Sequence, residues 1–382
     1  MKALARQLCD SAKRKPSLRT ERRNIVLHRK EDYRRCLKQL SIAGIKPVKV
    51  VDSLNFICYH ADRASNWKQL HGHPRVAYVE KDLKVKSHVI GHSAVKTAVN
   101  KARIPWNVSR VRAPEAWKTA NFGSGIKVAI VDTGIARHPD LRIAGGVNTL
   151  DGKSFADDNG HGTHVAGITA ATGSRRIYGV APKVKLYAVK VLDATGTGFI
   201  SDIVEGIDWC LARGIKIMNM SFGLSGDSQL LRDAVRKARS QGAVMIASAG
   251  NSGTMLKRID APARYPETIA VAATTRGNRV AYFSSRGRGV DIAAPGVHIL
   301  STWLGGTYRS ESGTSMSSPH VTGAAALLRR INPRLSASEV SQRLKKAALK
   351  ITGGSNAVGR GLLQIAPAAR LLSGKARVKH RH

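Results

Sequence analysis

The chain has 382 residues, enough for one large domain and a smaller one, and its hydrophobic content of 42% excludes wholesale disorder. It contains no run of 18 apolar residues that would predict a membrane-spanning helix. The net charge of +38 is spread along the chain and would attract polyanions non-specifically. Sequence-specific nucleic-acid recognition is not predicted, because aromatic residues are few and no reader motif occurs.

The first thirty residues are basic and polar, and they lack the continuous apolar segment of a secretory signal. We interpret residues 1–22 as a basic tail. The chain has four cysteines, of which one lies in the large domain, so an internal disulfide is not expected there. Their spacing does not resemble a zinc site. The cysteines are Cys9, Cys36, Cys58 and Cys210.

Residues 23–87 predict a small α/β unit, which we call the front unit. Its apolar and amphipathic segments follow the order strand–helix–strand–strand–helix–strand, which is typical of a ferredoxin-like fold. The strands are expected at residues 24–28, 47–53, 55–60 and 76–80, and the helices at residues 31–43 and 67–71. A polar linker is expected over residues 88–103, before the large domain.

The large domain, residues 104–372, alternates short apolar runs with helical segments. This alternation predicts an α/β fold in which helices cover both faces of a mainly parallel sheet, a three-layer arrangement. The runs are Val128–Val131, Lys185–Leu192, Ile217–Met220, Ala243–Ser248 and Thr268–Ala273. Residues 373–382 carry four Lys/Arg residues and no acid, and predict a disordered basic tail.

Polar residues that could perform catalysis follow two apolar runs and open two helical segments. Active sites in parallel α/β sheets gather at the carboxyl ends of strands, and Asp132 stands directly after such a run. A carboxylate there can hold a histidine. His161 and His164 occur in the segment NGHGTHVAG, which resembles a helix start and lacks the glutamate of a zinc-binding H-E-x-x-H motif. We interpret His161 as a general base and His164 as structural.

Ser315 is the candidate nucleophile. It lies in GTSMSSPHV at the start of a long apolar helix, where the helix dipole favours developing negative charge. Asn251, in the segment SAGNSG after another strand, can donate to an oxyanion together with the Ser315 backbone N–H. The order Asp132, His161, Ser315 matches one of the known orders of a serine catalytic triad.

Two other catalytic designs fit the sequence less well. The α/β-hydrolases need G-x-S-x-G, whereas the serine here lies in G-T-S-M-S. The tripeptide Asp132-Thr133-Gly134 also occurs in aspartic proteases, but those need a second copy from a duplicated β-rich half, and this chain has one.

The sequence resembles the subtilase family of serine proteases, close to the true subtilisins. The match runs from Ile104 to Leu372 and includes VAIVDTGI, HGTHVAG, SAGNSG and GTSMSSPHV in the family's order. The front unit similarly resembles the subtilisin pro-domain, a chaperone and inhibitor of the same chain. The resemblance therefore implies a monomeric, self-processing serine endopeptidase acting on proteins and peptides, cleaved in the linker near Asn100. It favours an extracellular location, with the cytoplasm as the alternative.

The resemblance also implies where the substrate binds. An extended peptide would pair with Ser221, Phe222 and Gly223, and its side chain before the cleaved bond (P1) would enter a pocket bordered by Ser248, Ala249 and Gly250. Asp260 stands where subtilisins usually carry a small residue at the base of this pocket. A carboxylate there predicts a preference for basic P1 residues. The alternative is a loop aspartate paired with Arg258 or Arg264.

Calcium is the family's structural metal, and no cofactor is needed for catalysis. Asp140 in the segment HPDL matches one calcium ligand of the family. The loop Thr172–Ile177 is one residue short, lacks the family's asparagine and carries two arginines, which oppose a hard cation. We therefore expect calcium dependence to be weak or absent.

Two alternative functions stay open at this point. Within enzymes, Asp260 could make the chain a narrow processing protease instead of a broad degradative one. From a different class, the basic surface could belong to a non-catalytic polyanion-binding protein on a protease scaffold, against which the intact Asp132, His161, Ser315 and Asn251 argue.

Overall fold

A computed structural model describes residues 2–13, 15–65, 67–94 and 102–372. The C-terminal tail expected at 373–382 and the cleavage position expected near Asn100 lie outside these ranges. The helices are α1 (Lys2–Ser11), α2 (Lys30–Ile42), α3 (Trp67–His71), α4 (Trp106–Arg110), α5 (Pro114–Trp117), α6 (His161–Ala170), α7 (Ile200–Ala212), α8 (Gln229–Ser240), α9 (Thr314–Ile331), α10 (Ala337–Ala347), α11 (Gly354–Val358) and α12 (Ile365–Arg370). Short 3₁₀ helices occur at Asp52–Leu54, Asn121–Gly123 and Leu304–Gly306.

Strands form four sheets within the described ranges. The strands are β1 (Thr20–Leu27), β2 (Lys49–Val51), β3 (Phe56–Asp62), β4 (Val76–Lys81), β5 (Lys84–Ser87), β6 (Gly91–Ala94), β7 (Lys127–Asp132), β8 (Ile143–Asn148), β9 (Lys185–Lys190), β10 (Thr197–Phe199), β11 (Ile217–Met220), β12 (Phe222–Gly223), β13 (Val244–Ser248), β14 (Thr268–Thr274), β15 (Ile292–Pro295), β16 (Ile299–Thr302) and β17 (Tyr308–Ser312). None of the described helices is both long and apolar enough to cross a lipid bilayer.

The large domain is built on a seven-stranded parallel sheet in the order β15-β14-β13-β11-β7-β9-β8. The three-layer α/β fold predicted from the sequence is confirmed. All five predicted runs are strands of this sheet, and β8 and β15, which the sequence analysis did not predict, extend it at both edges. The carboxyl ends of these strands share one edge, where a site can form.

Both faces of the seven-stranded sheet are buried, because successive side chains of a strand point to opposite faces. Val128 and Ile130 of β7 join a core with α6 and α9, whereas Ala129 and Val131 join a core with α7 and α8. Apolar residues on both faces therefore make these strands continuous apolar runs, the pattern that marks a covered parallel sheet.

The front unit contains the predicted strand–helix–strand–strand–helix–strand order, with antiparallel pairing in the order β2-β3-β1-β4. The elements of this unit begin earlier in the chain than the start predicted at residue 23. Strand β1 begins at Thr20, and α1 packs on the unit through Leu4 and Leu8, both fully buried in its core. Because leucines four positions apart lie on one face of a helix, this segment has an apolar stripe that its basic composition concealed.

The second face of the front sheet packs against α7 and α8 of the large domain. Val26 and Phe56 share a core with Ile203 of α7 and Leu231 of α8. Two carboxylates of the front unit also accept hydrogen bonds at the starts of these helices. Glu80 accepts from the Gln229 N–H at 2.9 Å. Asp82 accepts from the Ser201 N–H and hydroxyl at 3.0 and 2.7 Å. Negative charge at a helix N-terminus is stabilised by the helix dipole.

The predicted linker begins as ordered chain. Strand β5, at the end of the front unit, lies between β10 and β12 of the large domain in a three-stranded sheet, and β6 pairs with β17. The segment between β5 and β6 therefore crosses the carboxyl edge of the large sheet while both of its ends are held.

Candidate active site

Asp132 and His161 form a close pair at the carboxyl edge of the sheet. Strand β7 ends at Asp132, and α6 begins at His161. The His161 Nδ1–H donates to Asp132 Oδ1 at 2.6 Å, and Oδ1 also accepts from the Thr133 N–H at 2.8 Å. The Asp132 side chain is fully buried, and that of His161 is 2% exposed. These contacts fix both the tautomer and the orientation of the ring.

The same pair changes the basicity of the ring. Burial of His161 opposes its charging, but the adjacent Asp132 carboxylate outweighs that effect, and the pKa of His161 is raised above its usual value. The second ring nitrogen, Nε2, is buried and has no hydrogen-bond partner among the described residues. His161 therefore offers one open nitrogen to a proton donor.

Ser315 lies in the first turn of α9 and is fully buried. Its hydroxyl donates to the Ser221 carbonyl at 2.8 Å and accepts from the His88 N–H at 3.1 Å. The hydrogen bond from Ser315 to His161 that the triad implies is thus absent from the described chain. The reason is that the linker segment, through His88, holds the hydroxyl in another orientation.

The helix that carries Ser315 has a proline in its first turns. Pro319 has no N–H to donate to the Ser315 carbonyl four residues earlier. That carbonyl instead accepts from the Ser221 hydroxyl at 3.1 Å. Because Pro319 leaves this carbonyl free, Ser221, the residue before β12, can bind the turn that carries Ser315 from outside the helix.

Asn251 follows β13 and lies next to the first turn of α9, which carries Ser315. Its Oδ1 accepts from the Thr314 N–H and hydroxyl at 3.0 and 2.9 Å, which directs its amide nitrogen away from Thr314. That nitrogen is buried without a hydrogen-bond partner among the described residues. A side chain on Gly313 would lie 3.3 Å from this nitrogen and 2.2 Å from the His88 carbonyl oxygen. The glycine thus allows the carbonyl of His88 to approach the amide.

The groove expected for an extended peptide is filled by the chain itself. Strand β5 pairs antiparallel with β12, Lys86 opposite Gly223 and Ser87 opposite Phe222, and its other edge pairs with β10. The next residue, His88, donates its N–H to the Ser221 carbonyl at 3.3 Å. The segment Ser221–Gly223 therefore binds an extended segment by strand addition.

The side chain of His88, a residue that no sequence motif singles out, enters the pocket next to Asp260. Its Nε2 lies 3.0 Å from Asp260 Oδ2, and its Nδ1 lies 2.7 Å from Ser248 Oγ. The pairing of Asp260 with nearby arginines that was considered as an alternative is not present. Arg264 lies instead beside Asp227 and donates to the Ser225 carbonyl. The sequence carries no signal for His88, since its partners lie more than 150 residues away.

The pocket walls lie close to the His88 ring and to the Asp260 carboxylate beside it. A side chain on Gly223 would lie 2.6 Å from His88 Cε1, and one on Gly250 would lie 2.7 Å from Asp260 Oδ2. Asp260 is held by its own N–H, which donates to the Ala249 carbonyl at 2.9 Å. Gly223 and Ser248 therefore border the imidazole, while Ala249 and Gly250 border Asp260.

Asp140, the expected calcium ligand, is saturated by donors of the protein. Its carboxylate accepts from the N–H groups of Arg175, Arg176 and Ile177 at 2.6, 3.0 and 3.0 Å, and from the Tyr308 hydroxyl at 2.7 Å. A calcium site needs several free oxygen ligands. In the part of the chain that the structure describes, no group of three acidic, histidine or cysteine side chains could hold a metal ion. The residues present do not fit calcium at this loop.

His164 lies one helical turn after His161 and is fully buried. Burial lowers its pKa to about 3, so the ring is neutral, and its Nε2 lies 3.0 Å from the Arg309 carbonyl. A neutral ring that donates to a backbone carbonyl fits the structural role expected for it.

Comparison with known proteins identifies the family. The family described as "Subtilase family" matches residues 123–361. The chain belongs to the subtilase family. This subtilase is 44% identical over 299 residues to the "Alkaline protease" of Alkalihalobacillus alcalophilus, covering 78% of this chain and 75% of the relative. It is 47% identical over 269 residues to "Subtilisin Savinase" of Lederbergia lenta (70% and 99%), and 42% identical over 308 residues to "Subtilisin E" of Bacillus subtilis strain 168 (79% and 77%).

Membership at this identity gives the activity class. The subtilase described here is a subtilisin-like serine endopeptidase that hydrolyses protein substrates. The match to the family model lies within the large domain and leaves the front unit outside it.

Proposed function

We propose that this endopeptidase cleaves peptide bonds with Ser315 as nucleophile and His161 as general base. His161 takes the Ser315 proton through its open Nε2, while Asp132 holds the opposite side of the ring and stabilises the imidazolium. Asn251 and the Ser315 N–H stabilise the oxyanion. The observation that carries the proposal is the buried 2.6 Å pair of Asp132 and His161, in which Nε2 of the ring has no hydrogen-bond partner among the described residues.

Labelling of the purified chain during self-processing tests this assignment. A fluorophosphonate should label the mature wild-type enzyme, whereas Ser315→Ala should stay both uncut and unlabelled. Ser317→Ala is the matched control, because Ser317 lies on the same helix and donates to the Ala294 carbonyl. The control should be processed and labelled. Labelling or self-cleavage that persists in Ser315→Ala would contradict the proposal, and tight heparin binding without any labelling would favour the polyanion-binding alternative.

The proposal includes synthesis as a zymogen whose front unit inhibits the mature enzyme as a monomer. Support comes from β5, which fills the groove of the large domain, and from Glu80 and Asp82 at the starts of α8 and α7. Self-cleavage within residues 88–103 would leave a non-covalent complex that must dissociate. Mass spectrometry of the incubated chain, with size-exclusion chromatography, should show two fragments that first elute together as a one-to-one complex.

We also propose a preference for basic P1 residues. Asp260 supports it, because the carboxylate lies at the base of the pocket, is 7% exposed as a residue and meets a nitrogen of His88. Steady-state kinetics on peptides that differ only at P1 should give a higher kcat/KM for basic residues than for Phe or Leu. A Phe preference that Asp260→Gly leaves unaltered would contradict this.

Structural calcium is not part of the proposal. Asp140 already accepts hydrogen bonds from three backbone N–H groups and Tyr308, and the arginines of its loop oppose a cation. We expect the melting temperature of Ser315→Ala, which cannot digest itself, to change by less than about 2 °C when a chelator replaces millimolar calcium. A large calcium-dependent rise would contradict this.

A further inference from the structure

We infer that the pocket containing Asp260 recognises histidine at P1, and that the enzyme first cuts its own chain between His88 and Val89. This inference rests on the proposed function and names its substrate class: polypeptides with a histidine before the cleaved bond. Three observations carry it: the bonds to the ring, the fit of the walls and the position of the His88 carbonyl.

Both ring nitrogens of His88 have a polar partner in the pocket. Nε2–H donates to the Asp260 carboxylate at 3.0 Å, and Nδ1 is bonded to the Ser248 hydroxyl at 2.7 Å. The hydroxyl can donate to Nδ1 when the ring is neutral and accept from it when the ring is charged. The side chains of His88 and Asp260 are only 8% and 10% exposed, so the pair is largely shielded from water. Phenylalanine would leave the buried carboxylate unpaired, which is costly.

The pocket fits an imidazole better than a longer basic chain. The backbone of His88 is fixed at the Ser221 carbonyl, and from there the ring already reaches Asp260. Arginine and lysine carry their charge several bonds farther from the backbone. Their charged groups would have to fold back or displace Asp260, whose N–H is tied to Ala249. Neither of them has an atom that corresponds to Nδ1 beside Ser248.

The backbone groups on the N-terminal side of the bond after His88 lie against the proposed catalytic residues. The His88 N–H contacts Ser315 Oγ at 3.1 Å, and its carbonyl oxygen lies against Gly313, as does the Asn251 amide. On the far side, the Ile90 N–H donates to the Ser312 carbonyl at 2.9 Å, so the chain is held before and after the bond.

The cleavage step follows from this placement. Ser315 Oγ adds to the His88 carbonyl carbon, and its proton passes to His161. The proton then goes to the Val89 nitrogen as the C–N bond breaks. A water molecule hydrolyses the resulting ester, which restores the Ser315 hydroxyl and leaves a carboxylate on His88.

Two measurements on one preparation test the inference. Mass spectrometry of the self-processed wild-type chain should find a mature fragment that begins at Val89. Kinetics with the fluorogenic peptides Val-Lys-Ser-X, where X is His, Arg, Lys, Phe or Ala, should give the highest kcat/KM for His. In Asp260→Asn the ratio of His to Phe should fall about 10–100-fold, the range expected for a lost hydrogen bond to a buried charged group. Glu115→Gln is the charge-matched control, because this exposed glutamate pairs with Arg112 at the surface, and it should keep the wild-type ratio.

These measurements distinguish a failure of the histidine inference from a failure of the proposed function. If Ser315 is labelled and the Phe peptide is cleaved, but His is no better than Ala or is at least 10-fold worse than Arg, the inference fails and the proposed function stands. A first mature residue other than Val89, with peptides still cleaved, also overturns it. If no peptide is cleaved and Ser315 is not labelled, the proposed function fails and the inference fails with it.

Discussion

Two histidine–aspartate pairs lie close together in this molecule and differ in origin. His161 and Asp132 both belong to the large domain, where a strand end and a helix start bring them to 2.6 Å. His88 and Asp260 lie in different parts of the chain and meet at 3.0 Å, because β5 passes between β10 and β12. The first pair is a fixed part of the fold, whereas the second forms only while an extended segment occupies the groove.

The comparison shows how one chemical pairing serves two purposes. In the fixed pair, the carboxylate raises the pKa of His161 and orients it, and the other ring nitrogen stays open. In the second pair, both nitrogens of His88 are engaged, so the ring has no site left for proton transfer. An imidazole with one open nitrogen can act as a base, while one with two engaged nitrogens is bound as a ligand.

The largest expected effect comes from breaking the fixed pair. Asp132→Asn should slow self-cleavage of the intact chain by about 10⁴-fold, since the amide would favour the wrong tautomer of His161 and would not stabilise its charge. The rate is measured as the loss of the 382-residue species over time. A loss below about 10-fold would show that the pair is not part of the catalytic machinery.

The pH dependence of self-cleavage tests the pair of Asp132 and His161 in a second way. A general base must be uncharged, and the raised pKa of His161 means that activity should fall as the pH drops through a value above the ordinary 6.5. In Asp132→Asn the residual self-cleavage should keep its rate to lower pH, because the carboxylate that raised the pKa is gone. An acid limb at the same pH in both proteins would contradict this.

Asn251→Ala should separate the two pairs, because the Asn251 side chain bonds to Thr314 and to no side chain of either pair among the described residues. Removal of one oxyanion donor typically costs about 10²–10³ in kcat, a magnitude known from subtilisin itself. The factor should be the same when residue 88 is His and in the His88→Phe background, since the amide acts on the carbonyl and not on the side chain. A factor that changes more than 5-fold between the two backgrounds would place Asn251 in P1 recognition.

Arg22→Ala tests how tightly the front unit binds the large domain and so holds His88 beside Asp260. The Arg22 guanidinium lies 3.3 Å from Asp202 and 3.8 Å from Asp82, and it stacks over the Phe199 ring at 4.1 Å. Its loss leaves two buried carboxylates without this cation, at a cost of about 2 kcal/mol, or roughly 30-fold in affinity. When the self-processed complex is diluted, peptidase activity should therefore recover at a concentration about 30-fold higher than for the wild type. Lys13→Ala, which removes an exposed ion pair with Asp62, is the control.

The smallest expected effect belongs to Ser248→Ala. Among the described residues, the one hydrogen-bond partner of the hydroxyl is Nδ1 of His88, so its loss should lower kcat/KM for a histidine peptide by about 5-fold, the value of one ordinary hydrogen bond. The Phe peptide supplies the reference in the same assay. An equal fall for both peptides would indicate a change in pocket shape instead of a lost contact.

The sequence predicted the parts of this site that depend on local pattern. Asp132 and Ser315 could be assigned because a buried run that ends in a carboxylate, or a Gly-Thr turn that opens an apolar helix, has a known position in a parallel α/β fold. The parallel sheet itself followed from its apolar runs. These inferences need only neighbouring residues and the topology that they imply.

Long-range contacts could not be predicted in the same way. His88 lies in a polar segment whose conformation depends on two strands more than 100 residues away. The helix α1 was missed because charged residues surround its two buried leucines. The orientation of the Ser315 hydroxyl depends on a segment of chain that the motif around the serine does not contain.

The placement of β5 limits the proteins that this enzyme can digest. If self-cleavage releases the front unit as proposed, β10 and β12 would face each other across a slot two strand spacings wide, about 9.5 Å. A helix is about 10–12 Å across with its side chains, and a strand already paired in another sheet keeps both edges occupied, so neither can enter. Susceptible targets would then need an extended segment about as long as β5 (Lys84–Ser87), which would restrict attack on native proteins to flexible surface loops, frayed ends and unfolded chains.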